Sequence, residues 1–411
     1  MSAKFTKKMK KEYVILAPDI FPSHMTLIRE IFRMYGYNIE IMHYEGQKVI
    51  DVGLQYLHND MCYPAICSIG QLLYAIKSGD YDPNKIALLQ FQTGGGCRAS
   101  NYIWLLRKAL KNMGMEHIPV ISLSFSGMEK QCGFKLKPMM LIKGIISIAY
   151  GDLLMLLKNQ ILPYEQNEGE TDAMIDKWNK KLVKQFRKNK GLYGKSFRRN
   201  INGIIDDFCS IPIKKSKKTK VGIVGEIYVK YSQFGNNGLE NFLLSQNCEF
   251  MVPGVLGFIQ YCFSGFETEK HYFGNTKGKL LKKTAYRALN RIEGIIVEAL
   301  SSHPEIVAPC RFSDLEKLAD KVLDRGVRMG EGWLLPAEMV ELIEKGYKNI
   351  ICAQPFGCLP NHIVGKGVIR SLKELYPNSN ICPVDYDAGA SKVNQENRIK
   401  LMLSVEKEEL V

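Results

Sequence analysis

Apolar residues form a short run at 13–17 that stops at Pro18, then recur at helical spacing over 25–37, where Leu27, Ile28, Ile31, Phe32 and Tyr35 share a face. A second short run follows at 38–42. Further β-rich runs at 85–91 and 118–124 are each preceded by a helical stretch, and this alternation predicts a parallel sheet with helices on both faces. From about 136 to 213 the short runs cease. Helical patterns at 138–162, 173–190 and 197–209 predict a helical insert or bridge. Alternation returns with a β-rich run at 220–229, interrupted by Gly222 and Gly225, then helices at 237–245, 280–301 and 315–323. A strand at 349–356, a helix at 360–375, a strand at 380–385 and a helix at 393–405 complete the pattern. The fold class expected is α/β, as a basic tail at 1–12, one α/β domain at 13–135, a helical insert at 136–219 and a second α/β domain at 220–411.

A chain of 411 residues with 46% hydrophobic and 24% charged residues can bury the cores of two or three domains. Its net charge of +14 invites a nucleic-acid or membrane-surface reading until its location is noted. Residues 1–11 carry five lysines and no acid, and 177–220 carry fifteen Lys or Arg against Asp206 and Asp207, which leaves the rest of the chain at −4. The basic segment has few aromatics for stacking on bases, so nucleic acid is not the expected partner. A solvated face that docks an acidic protein or CoA phosphates is the simpler account. Met1 is followed by a polar, lysine-rich stretch, so no secretory signal is expected and a cytoplasmic, reducing compartment is. The most apolar stretch, 139–157, is broken by Lys143 and Asp152, which predicts a buried helix rather than a membrane span.

In such a compartment the 11 cysteines are free, catalytic or metal-bound. Three share one context. Cys62 stands in Asn59-Asp60-Met61-Cys62-Tyr63-Pro64, Cys97 in Gly94-Gly95-Gly96-Cys97-Arg98-Ala99, and Cys358 in Gln354-Pro355-Phe356-Gly357-Cys358-Leu359-Pro360. Each is expected at a turn opening a helix, at the carboxyl edge of a parallel sheet, where α/β proteins bind ligands. A helix N-terminus favours thiolate, the form that ligates metal. Neither spacing resembles a zinc ribbon or a ferredoxin run, so the fold has to gather them. Three thiolates with an open fourth position suit an iron–sulfur cubane with one exchangeable iron, or a zinc. Gly95 and Gly96 would let backbone N–H groups approach it closely. Cys132, in the loop after the run at 118–124, is the candidate fourth ligand. The other cysteines are expected to pack in the core or against neighbours.

Those three blocks, with Gly330-Glu331-Gly332-Trp333-Leu334-Leu335-Pro336 and Asn394-Gln395-Glu396-Asn397-Arg398, resemble the 2-hydroxyacyl-CoA dehydratase and benzoyl-CoA reductase superfamily. The likeness is greatest to the dehydratase-like C-terminal module of CoA-substrate-specific enzyme activase-related proteins, and it covers nearly the whole chain from about residue 13. It implies two Rossmann-like, doubly wound domains with a helical insert between them, and a [4Fe–4S] or double-cubane cluster on Cys62, Cys97 and Cys358. It implies low-potential electrons from an ATP-hydrolysing activator, itself an iron–sulfur protein, for radical dehydration or reduction of a substrate such as an acyl-CoA. It implies pairing into a homo- or heterodimer as well. GxxxxGK[ST] is missing, so ATP would be hydrolysed by the partner. The competing expectation is a non-catalytic cluster-binding or assembly partner of a larger dehydratase–activase system.

Other residues keep two readings each. His362, four positions after the third cysteine, either reaches the cluster or a thioester carbonyl, or serves as a cap. Arg98 pairs with a CoA phosphate or the cluster's charge, or is a surface arginine. Glu226, after a strand and Gly225, lines the cleft and is a candidate general base.

Overall fold

The computed structural model describes residues 3–93, 96–124, 132–214, 216–274 and 278–408. Among them, β1 (Val14–Pro18), β2 (Asn38–Met42), β3 (Ile86–Gln92) and β4 (Val120–Ser124) form a parallel sheet in the order β2-β1-β3-β4. Strands β5 (Thr219–Gly225), β6 (Cys248–Met251), β7 (Asn349–Pro355) and β8 (Asn380–Tyr386) form a second, in the matching order β6-β5-β7-β8. Every residue of β7 is buried, as both faces of a parallel sheet require. In each sheet the chain order reverses beside the first strand, so the carboxyl ends of β1 and β3, and of β5 and β7, flank a switch point. Helices α1 (Pro22–Met34), α2 (Tyr63–Ser78) and α3 (Tyr102–Asn112) belong to the first half.

Between the sheets run α4 (Pro138–Ile161), α5 (Glu170–Arg187) and α6 (Gly194–Cys209), the helices expected of the insert. By length and composition α4 could cross a membrane, yet most of it is buried inside the protein, including Lys143, Asn159 and Gln160. It shares one apolar core with both sheets, which runs from Ile15 and Leu89 through Leu154 and Leu157 to Met339 and Ile350. Asp152 on α4 joins the halves. Its Oδ1 meets Nε2 of the buried His24 on α1 at 2.8 Å, and its carboxylate accepts the N–H groups of Val255 and Leu256 at 2.8 Å each. Those two open a helix of the second half, so one carboxylate caps its N-terminus and fixes its place against α1. Lys177, Lys180, Lys181 and Lys184 on α5, with Lys188 and Lys190 just past its end, surround a solvent-facing hollow.

The structure departs from the sequence pattern in three places. The run at 220–229 is strand only to Gly225, whose φ of +140° suits glycine and whose Cβ position would overlap the Ala353 carbonyl. The chain then turns into the short helix α7 (Ile227–Tyr231). The helix expected at 360–375 is a π-helical turn, Asn361–Lys366, followed by a separate helix, Ile369–Leu375. The N-terminal residues are not a free tail: Phe5 is fully buried, its carbonyl accepts the N–H of Gly133 at 2.9 Å, and Lys10 lies over the Tyr37 ring. The second half also holds α8 (Val255–Ser264), α9 (Lys279–Ser301), α10 (Leu334–Glu344) and a C-terminal helix, Lys392–Glu408, where the sequence predicts one at 393–405, with further short helices among them.

Candidate functional site

Loops at the carboxyl edges of both sheets meet between them. Cys62 is the N-cap residue of α2, Cys97 precedes the 3₁₀ turn Arg98–Asn101 after β3, and Cys358 lies in the turn after β7. The Cys97 and Cys358 turns follow β3 and β7 directly at the carboxyl edge, while Cys62 opens the second helix after β2, behind Gln47–Tyr56, and meets the Cys97 side through Tyr102, whose Oη lies 2.9 Å from its sulfur. The Arg98 guanidinium donates to the Asp60 carbonyl at 2.5 Å and ties the Cys97 turn to the Cys62 loop. Gly96 brings that turn against the second half, where a Cβ would stand 2.8 Å from Cε of Met329. Gly330, at φ +60°, packs against Pro360 in the same manner.

Glu226, half-buried after β5, is the acid common to the surroundings of the three thiols. The Glu226 charge acts on Cys62, Cys97 and Cys358 alike, and that of Glu331 on the last two. Glu226 follows β5 and accepts the N–H groups of Tyr228 and Val229 at 3.0 and 2.9 Å. Glu331 accepts from Ile227 N–H at 3.2 Å and from the Asn361 amide at 3.1 Å, and that same amide reaches the Cys358 sulfur at 3.4 Å. Burial raises both carboxyls above the usual range, and the Glu331 charge raises Glu226 further. The cation nearby is Lys230, whose ammonium is held by Glu338 at 3.0 Å with both side chains almost wholly buried.

Thiol acidity runs against the sequence expectation. Burial pushes Cys97 up to about 11 and Cys358 up to about 12, and raises Cys62 as well, although Tyr102 Oη lies 2.9 Å from its sulfur. Loss of water and the buried acids outweigh the Ala99 N–H on Cys97 and the Asn361 groups on Cys358. As free groups these cysteines are protonated thiols, and a bound cation would be needed to ionise them. The donor set suits a cluster: three soft ligands from three loops, with Gly96 and Gly357 keeping side chains away from the backbone. Among the described residues no three His, Cys, Asp or Glu side chains stand drawn together as a metal-holding group.

The remaining expectations divide. His362 is held within its own loop, where Gly357 N–H donates to Nε2 at 3.2 Å and Asp385 Oδ1 lies at 3.8 Å, which is the geometry of a loop clamp. Arg98 is exposed and spent on the Asp60 carbonyl, and Gly95 lies outside the described residues. Cys132 is exposed, with its thiol 3.7 Å from the Phe5 carbonyl. The docking of the N-terminal residues, a contact at long sequence range, holds it there. Sequence reasoning missed Glu331, Tyr102, Asn361 and Lys230 as site residues. A signal existed for Glu331, an acid between two glycines, Gly330 and Gly332, both at positive φ. No family model matches the chain, and no curated protein matches it either.

Proposed function

We propose that this protein is an iron–sulfur redox component of the 2-hydroxyacyl-CoA dehydratase type, with two Rossmann-like halves holding a cluster on Cys62, Cys97 and Cys358. The observation that supports the reading is that three cysteines separated by long stretches of chain stand at helix-opening turns beyond the carboxyl edges of the two sheets, with the Glu226 charge acting on each. When bound, the cluster supplies one-electron chemistry at low potential, received from an ATP-hydrolysing activator and used to dehydrate or reduce a substrate such as an acyl-CoA. The chain's own residues do the rest. Glu226 and Glu331, whose carboxyls burial raises, give up their protons less readily than exposed acids, and the Asn361 amide links Glu331 to the Cys358 sulfur. The lysine face of α5 offers a docking surface to an acidic activator.

Iron and sulfide analysis and electron paramagnetic resonance of anaerobically prepared, reduced protein test this. Serine at 62, 97 or 358 is expected to cut bound iron at least about tenfold each, whereas Cys132→Ser leaves it unchanged. Iron-free protein from anaerobic reconstitution, or iron retained in all three variants, would refute the reading. Cluster binding with no activator-dependent turnover of any acyl-CoA would identify an assembly partner instead.

A further inference from the structure

A second site lies away from the cysteines. Behind the second sheet, α4, α8, α9 and α10 leave a partly enclosed cavity of about 120 Å³. Its walls are apolar, built by Leu153, Leu156, Ile296, Val297, Leu300 and Leu342 among others. An apolar cavity of similar size, about 150 Å³, stays dry and accepts benzene or xenon. Space of this kind lowers stability through every contact its walls lack, so a packed core does not keep it without a use.

The acids at its margin are already committed. Asp152 caps α8 and holds His24; Glu338 holds Lys230; Glu341 accepts Cys310 N–H at 2.5 Å; Glu293 accepts Phe312 N–H at 2.7 Å. None of these side chains has a buried polar atom without a partner. The lining is chiefly apolar, so an occupant gains most by covering apolar surface, which favours an apolar ligand over an amine or a sugar. None of Cys62, Cys97 and Cys358 lines the cavity.

One side is closed by residues 306–311, a stretch outside regular secondary structure. Side chains from three helices hold it: Gln160 exchanges two hydrogen bonds with the Val307 backbone at 2.7 and 3.0 Å, and Glu341 and Glu293 take the N–H groups at 310 and 312. Residues 307–310 make no backbone–backbone hydrogen bond with other described residues, so this strap can lift while the helices stay packed.

We propose that the cavity binds a small apolar molecule or apolar group, up to about the size of a benzene ring, admitted beneath the strap at 306–311. The site is independent of any cluster. Benzene and xenon are the probes, applied to the full chain with and without metal. Benzene at millimolar concentration is expected to raise the melting temperature saturably, by about 1–3 °C, and xenon to shift the methyl resonances of Leu153 and Leu300. Val297→Phe, which fills the space, is expected to abolish both responses. If that variant does not fold, Val297→Leu is expected to cut the benzene response at least about twofold. No saturable response in the parent chain, or an undiminished one in the filled variant, overturns the proposal.

Discussion

Lys230 carries its ammonium into the core, where Glu338 meets it with both side chains almost wholly buried. Removing one partner strands a charge that has no water to fall back on. Lys230→Met is expected to cost about 3–5 kcal/mol in urea unfolding, and the double variant Lys230→Met/Glu338→Leu to recover most of that loss. At this scale the sequence was legible where local chemistry marked it. Gly and Pro beside Cys62, Cys97 and Cys358 announced turns at helix starts, and all three are found there. Glu331 escaped notice because its partners, Ile227 and Asn361, lie 104 and 30 positions away, and burial of that kind leaves no local mark. Thiol acidity was misjudged for the same reason: a helix start is local, whereas loss of water is the work of the whole fold.

The turn from β5 into α7 decides where Glu226 stands. Gly225 makes that turn at φ +140°, pressed against the Ala353 carbonyl of β7, and Glu226 N–H then donates to that carbonyl at 3.0 Å. Gly225→Ala would strain the backbone and push β5 away from β7, at a cost of about 3 kcal/mol or more, seen as an early urea midpoint. Iron binding in that variant is expected to fall as well, since the loops bearing Cys97 and Cys358 pack around the displaced carboxylate. Periodicity placed the other seven strands' neighbourhoods with mixed success. β7 and β8 were legible as apolar runs, but β6 has only four residues and gave no run long enough to register. The helix expected at 360–375 was read as continuous because its apolar spacing persists across the π-helical turn, which only backbone geometry reveals.

For the whole molecule, the buried acids set how stability follows pH. Burial raises Glu293 from 4.5 to about 7, and Glu226, Glu331, Glu338 and Glu341 shift the same way from the same cause. Each binds its proton more tightly folded than unfolded. Below the unfolded value both states are protonated and the contribution is whole; as pH rises through the folded values the unfolded chain ionises first and stability drains away. Unfolding free energy in urea is expected to be greater at pH 5.5 than at pH 7.5, by roughly 2 kcal/mol or more, and Glu293→Gln to flatten some of that slope. The alternation of strand and helix made two parallel sheets legible from sequence, yet it was silent on how they are joined. That join is α4, packed in the same core as both sheets and pinned by Asp152 to each. Two halves so pinned share one core, so parting them would break the three contacts of Asp152 and open the apolar surface of α4 to water.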